Sequence, residues 1–258
     1  MKITVLLENT STQSNLTAEH GLSLLIETKP HIILFDMGQS DAFAKNAERL
    51  GIDLALVDTA ILSHGHYDHG GGLKAFLARN HTAPVWVSRY AFEPHFHGPE
   101  RYIGLDISLQ GHPGLRFAGE NTVLGEGLTL YTCSQMERQH PMDNSGLQVK
   151  ENGVLVPEDF RHEQYLLAEA QGRRILFSGC SHRGILDIVR WFRPDVLIGG
   201  FHFSGLPLDE TLAGYARTLN SFQTEYYTCH CTGVSQFEFM KQYMPRLHYL
   251  SCGQTLWL

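Results

Sequence analysis

The tightest constraint on this chain is the segment Ser63-His64-Gly65-His66-Tyr67-Asp68-His69-Gly70-Gly71-Gly72, in which three imidazoles and a carboxylate fall within six residues. The apolar run Thr59-Ala60-Ile61-Leu62-Ser63 just before it reads as a strand, and a helix is expected from about residue 72 to 78. A strand end is a rigid anchor, and a loop leaving it can curl so that side chains two apart converge. Neutral imidazoles with a carboxylate suit zinc, iron or manganese. Gly65, Gly70, Gly71 and Gly72 let the backbone fold tightly around such ions. His64, His66, Asp68 and His69 are therefore read as metal ligands.

Elsewhere, short apolar runs rich in β-branched residues alternate with amphipathic stretches. Residues 2–8, 21–28 and 31–36 read as strands, with Lys29-Pro30 turning the chain between the last two. Residues 40–50 carry Phe43, Ala47 and Leu50 at helical spacing, and Gly51 closes that helix. The second half repeats the theme: strands at 165–169 and 174–178, a helix at about 184–192, and a buried strand at 196–198. A helix at 209–221, a strand at 225–228 and a last helix at 235–243 follow. Strands in two groups with their own helices suggest two sheets face to face with helices outside, although periodicity alone fits a doubly wound sheet equally. The chain reads as a single domain, 1–258. Two segments break the rhythm: about 89–113, with Pro, Gly, aromatics and three histidines, and 134–162, polar and loop-like. Loops of that length in a compact domain tend to be functional, so both are expected as walls or lids of a site.

Composition narrows the function. Hydrophobic (43%) and charged (18%) fractions are those of a globular protein, and a net charge of −7 supplies no basic face to track a phosphate backbone. Nucleic acid is thus not the expected partner. No stretch is long and apolar enough to span a bilayer, and residues 1–9 hold too short an apolar run for a signal peptide. Five cysteines without scaffold spacing point to a reduced, cytoplasmic setting. The expected partner is a small-molecule substrate; the residues specify no oligomeric state.

The H-x-H-x-D-H form of residues 64–69 resembles the signature of the metallo-β-lactamase superfamily, and the resemblance runs over nearly the whole chain, weakest across 89–160. It implies an αββα sandwich with the metals at the sheet edge where loops from both halves meet. Asp36, in Ile33-Leu34-Phe35-Asp36-Met37-Gly38, matches the family's Asp that braces the metal loop. His230, in Thr228-Cys229-His230-Cys231-Thr232-Gly233, matches the late histidine that completes one metal site. In Ser178-Gly179-Cys180-Ser181-His182 the chain departs from the family, because Cys180 stands where most members carry a bridging Asp. A thiolate can ligate, so Cys180 is a candidate ligand, but a bridging carboxylate is lost. His162, Glu163 and His182 compete for the third histidine position of the first site, with His182 preferred. The implied assignment is one ion on His64, His66 and His182 and the other on Asp68, His69 and His230, with Asp68 also orienting the nucleophilic water.

Gly179-Cys180-Ser181-His182, Gly199-Gly200-Phe201-His202 and Glu19-His20-Gly21-Leu22-Ser23 resemble one subgroup more closely. It contains metal-dependent hydrolases and the methanopterin-pathway synthase that joins a dihydropterin diphosphate to a ribofuranosylaminobenzene phosphate. By that resemblance Glu19, His20 and His202 line the pocket. Arg183, beside the helix starting near Gly184, offers an anion site together with the free N–H groups of the helix end. The expected function is a hydrolase using two divalent ions, zinc foremost with iron or manganese as alternatives, on a small phosphate-bearing ester. A transferase like the synthase is the alternative. A non-hydrolytic di-iron redox protein is a further one, against which the imidazole of His66 counts, because such proteins carry a carboxylate there.

Overall fold

The central strands are unbroken apolar runs, and the computed structural model, which describes residues 1–140 and 146–258, gives the reason. The first half forms β1 (Lys2–Leu7), β2 (Ser23–Glu27), β3 (Ile32–Phe35), α1 (Ala42–Arg49), β4 (Thr59–Ile61), α2 (Tyr67–Gly70), α3 (Leu73–Leu77) and β5 (Val85–Val87). The middle adds β6 (His95–His97), β7 (Arg101–Tyr102), β8 (Leu115–Phe117), β9 (Asn121–Gly125), β10 (Leu128–Tyr131), β11 (Leu147–Glu151) and β12 (Val154–Pro157). Then follow β13 (Tyr165–Ala170), β14 (Arg173–Phe177), α4 (Ile185–Phe192), β15 (Val196–Gly199), α5 (Glu210–Ser221), β16 (Glu225–Thr228), α6 (Val234–Lys241), β17 (Leu247–Tyr249) and β18 (Thr255–Trp257). One seven-stranded sheet has the order β18-β1-β2-β3-β4-β5-β8 and the other β17-β16-β15-β14-β13-β10-β9.

Both faces of each central strand are covered. In β2, Leu24 and Ile26 enter the core between the sheets while Leu25 packs outward beneath the helices; in β14, Ile175 and Phe177 point in and Leu176 points out. Period-two alternation thus distributes one apolar run over two cores. The rings of Phe35 and Phe177 meet between the sheets, 6.1 Å apart. Phe43, Ala47 and Phe76 of α1 and α3 cover the first sheet, and Ile188, Leu212 and Met240 of α4, α5 and α6 cover the second. The result is the αββα sandwich that the resemblance implied.

Strand direction places the site. β3, β4, β5 and β8 run parallel, as do β14, β15, β16 and β17. Asp36 follows β3 and His64 follows β4; Cys180 and His182 follow β14, His202 follows β15 and His230 follows β16. Carboxyl ends of parallel strands are the usual place for a ligand site.

The two irregular segments are more ordered than their sequence suggests. They supply β6, β7, β11 and β12, which join as a four-stranded sheet of order β12-β11-β6-β7, with Phe96 opposite Gln148. Strands of two to five residues paired across such a distance leave no readable periodicity. Residues 141–145, inside the second segment, lie outside the described residues. β5, β8, β9, β10, β17 and β18 also go unread in the sequence, each being five residues or fewer. Among the described residues no helix is long and apolar enough to cross a membrane.

Candidate metal centre

Asp36 organises the first half of the centre. It is fully buried and adopts a left-handed backbone (φ 62°), a conformation Asp tolerates better than most residues. Its Oδ1 accepts the backbone N–H of Ser63 at 2.7 Å, and its Oδ2 accepts the Ser63 hydroxyl at 2.7 Å. His69 Nδ1 also lies 2.7 Å from Oδ2. An ionised carboxylate only accepts, so the protons sit on Ser63 Oγ and His69 Nδ1. Ser63 Oγ, with its proton committed, accepts from His64 Nδ1 at 2.8 Å. His64 is thereby left with a bare lone pair on Nε2, and so is His69 in its neutral form. That of His64 is buried and has no hydrogen-bond partner.

The second half is wired in the same way. His230 Nδ1 lies 2.8 Å from Asn9 Oδ1, and the amide orientation of Asn9 is fixed because the same oxygen accepts the Gly21 N–H at 3.2 Å. The remaining His230 Nε2 faces His69 Nε2 at 3.2 Å. Two imidazole lone pairs at that distance need a cation or a proton between them. Asp68 Oδ2 closes the group, 3.3 Å from His230 Nε2 and 3.9 Å from His69 Nε2. Burial would raise the Asp68 pKa, but His69, His20 and His230 hold it well below the usual carboxylate range. For His69, burial opposes the charge while Asp36 and Asp68 raise its pKa.

His182 is buried with both ring nitrogens unpartnered, and its ligand atom, with those of His64 and His66, falls within a span of 4.8 Å. Burial, reinforced by the neighbouring histidines, pushes His64 and His182 well below the ordinary imidazole pKa, so both are neutral and able to ligate. His66 directs Nε2 to Glu158 Oε2 at 3.2 Å.

Cys180 Sγ is 3.1 Å from His69 Nε2, and Cys180, His230 and Cys231 form another group within 4.8 Å. Burial, followed by its contact with Cys231, raises the Cys180 pKa well above that of a free thiol. Burial also opposes ionisation of Cys231, yet hydrogen bonds with Cys180 and His202 push its pKa well below the usual thiol value. Cys231 is thus the thiolate-prone sulfur. Cys229 packs instead in the core between the sheets.

A cleft of about 200 Å³ opens over these groups, bounded by His20, His97, Arg101, Leu147 and His202. His20 Nε2 stands 3.1 Å from Asp68 Oδ2, and the His202 ring lies 4.3 Å from that of His182. A larger hollow of about 570 Å³ near Glu27 and Trp257 includes none of the centre's residues.

Four candidates are placed elsewhere. Glu163 accepts the backbone N–H groups of His182 and Arg183 and the Tyr165 hydroxyl, so its oxygens brace the turn that carries His182. His162 accepts the Gly65 N–H on Nδ1 and turns Nε2 to Glu158, and its ligand atom lies with those of His66, His95 and Glu158 within a span of 4.8 Å, a group of its own beside the first. Glu19 is held by the Ser40 hydroxyl outside the cleft. Arg183 is buried, with its guanidinium donating to the carbonyls of Met136 and Asp159, and it is absent from the cleft wall. Asn9, Ser63, Glu158 and Arg101 were not read in advance. The only signal for Glu158 was its spacing four residues before His162.

Residues 16–134 match the family model of the Metallo-beta-lactamase superfamily. The crystal structure of Tm1679, a metal-dependent hydrolase of the beta-lactamase superfamily, is 31% identical and superposes with a TM-score of 0.84, covering 100% of this chain and 99% of that one. The chain belongs to the metallo-β-lactamase superfamily. Two relatives come from Methanocaldococcus jannaschii. The uncharacterized protein MJ0448 is 28% identical over 249 residues, covering 93% of this chain and 94% of its own. The second, 7,8-dihydropterin-6-methyl-4-(beta-D-ribofuranosyl)-aminobenzene-5'-phosphate synthase, is 26% identical over 265 residues, covering 93% of this chain and 90% of its own.

Proposed function

We propose that this superfamily member is a hydrolase that uses two divalent metal ions to attack a small, phosphate-bearing ester. The observation that carries the reading is the convergence of the His64, His69 and His230 rings, each with its Nδ1 engaged on the far side, beside the unpartnered imidazole of His182. His64, His66 and His182 would hold one ion, and Asp68, His69 and His230 the other, with Cys180 and Cys231 in reach as sulfur donors. That mixed nitrogen, oxygen and sulfur set favours zinc over iron or manganese. Bound there, the ions would supply Lewis acidity and lower the pKa of water towards neutrality. Asp68, held ionised, accepts a hydrogen bond from water at Oδ2 and orients it. Arg101, whose Nη2 donates to Tyr67 Oη at 3.0 Å, takes the role of anion anchor in place of Arg183. A reduced, cytoplasmic setting fits, since Cys180 and Cys231 are free thiols.

Similarity to the pterin synthase supports a second reading, in which the same ions activate a diphosphate leaving group. The test is metal analysis of the purified protein together with turnover on phosphomonoester, phosphodiester and lactone substrates. Two equivalents of metal with metal-dependent hydrolysis support the first reading. Two equivalents without hydrolysis favour the transferase, to be assayed with pterin diphosphates. No bound metal after reconstitution would overturn both.

A further inference from the structure

Beside the lone-pair cluster lies a buried carboxylate, Glu158, that the proposed chemistry does not use. Glu158, just after β12, has a side chain only 1% exposed, and three imidazoles surround it. His95 Nδ1 is 2.6 Å from Oε1, His162 Nε2 is 2.5 Å from the same oxygen, and His66 Nε2 is 3.2 Å from Oε2. We propose that Glu158 is a positioning residue that holds His66 in the tautomer protonated on Nε2, so that Nδ1 presents its lone pair to the metal centre. This rests on the reading of His66 as a metal ligand.

Proton placement around the cluster supports a carboxylate acceptor rather than another metal site. His162 Nδ1 accepts the Gly65 N–H at 2.8 Å, so it carries no proton. A neutral imidazole must then be protonated on Nε2, the atom 2.5 Å from Glu158 Oε1, and a protonated nitrogen cannot ligate. His162 thus links the carboxylate to the backbone of the ligand loop at Gly65, between His64 and His66. His95 presses on the same residue: a Cβ added at Gly65 would stand 2.9 Å from His95 Nε2. Glu158 therefore orients the ring of His66, and it lies against the two imidazoles that touch the backbone beside it. Histidine ligands commonly direct their second ring nitrogen to a carboxylate, and losing such a partner typically weakens metal binding about 10–100-fold. The four-stranded sheet acquires a function in this way, since β6 carries His95 and β12 leads into Glu158 and His162.

The experiment is nitrogen NMR of the full chain labelled with ¹⁵N-histidine, metal-free and zinc-loaded, with His66 assigned through His66→Gln. Zinc affinity of the wild type and of Glu158→Gln is measured in parallel by chelator competition. The expected result is a metal-free His66 already protonated on Nε2, and zinc affinity about 10–100-fold weaker in Glu158→Gln. A His66 protonated on Nδ1 in the metal-free wild type would overturn the inference, and so would unchanged zinc affinity in a folded Glu158→Gln. A third equivalent of zinc, lost in that variant, would overturn it in favour of a metal held by the cluster itself. Should Glu158→Gln fail to fold, the wild-type tautomer decides alone. Failure of the wild type to bind zinc at all, whatever its tautomer, overturns the underlying metal reading instead.

Discussion

Asp36 fixes two protons through three contacts, to Ser63 N, Ser63 Oγ and His69 Nδ1. Asp36→Asn tests this directly, because Asn also tolerates a left-handed backbone and should leave the chain folded. Its amide would set an N–H where Ser63 Oγ or His69 Nδ1 now donates, reversing the proton arrangement and masking a metal lone pair. Zinc affinity is expected to fall about 10–100-fold, read by chelator competition; unchanged affinity would remove the role assigned to the carboxylate. His162 gives a pH prediction of its own. Burial, with His95 adding to it against the opposing pull of Glu158, lowers its pKa from 6.5 to about 3. Between those values the unfolded chain takes up a proton that the folded chain refuses. The stability associated with a neutral His162 is thus complete above pH 6.5 and drains away as the pH falls towards 3, by at most about 1.4 kcal/mol per pH unit. Urea unfolding of the metal-free protein between pH 7.5 and 5 should show a shallower pH dependence in His162→Asn than in the wild type. Equal slopes would mean that His162 titrates normally.

The elements determine how much of this was legible in the sequence. Four residues of the centre were, because they share six positions after one strand and the ligand chemistry lies in that spacing. His182 and His230 came only through resemblance, since each sits alone after its own strand. Asn9 and Glu158 were not legible at all: their contacts to His230 and His66 span 221 and 92 residues. The long β-runs and helices were read within a residue or two because their apolar pattern reflects two cores. The four-stranded sheet was missed because β7 and β12 are largely exposed and alternate weakly. Gly65 shows the consequence of that sheet for the ligand loop, since an added Cβ would come within 2.2 Å of the Ala91 carbonyl. Gly65→Ala is therefore expected to cost about 1–3 kcal/mol in urea unfolding and to weaken zinc binding as the loop shifts. Gly111→Ala, with nothing within 4 Å of the added carbon, is the control and should change neither. Equal effects of the two substitutions would show that the contact at Gly65 is absorbed without moving the loop.

At the scale of the molecule, the centre draws its proposed ligands from both halves of the sandwich, and the sheets beneath it share one core. His64, His66, Asp68 and His69 rise from the first sheet, His182 and His230 from the second, and Phe35 and Phe177 join the sheets below. Parting the sheets would therefore dismantle the core and both proposed ion sites together. A ligand bound only by the folded state at 100 times its dissociation constant adds about 2.7 kcal/mol to stability. Zinc at that free concentration is expected to raise the midpoint of thermal unfolding, with zinc release and loss of near-ultraviolet circular dichroism following a single coincident transition. Phe177→Ala should cost about 3–5 kcal/mol and lower both midpoints by the same amount, because the ring supports the two halves at once. His230→Ala, by contrast, should leave the zinc-free midpoint nearer to wild type while removing much of the increment due to zinc. Zinc retained by the first half after the second has unfolded would contradict this coupling, and would mean that the six-residue cluster binds metal without its partners across the sandwich.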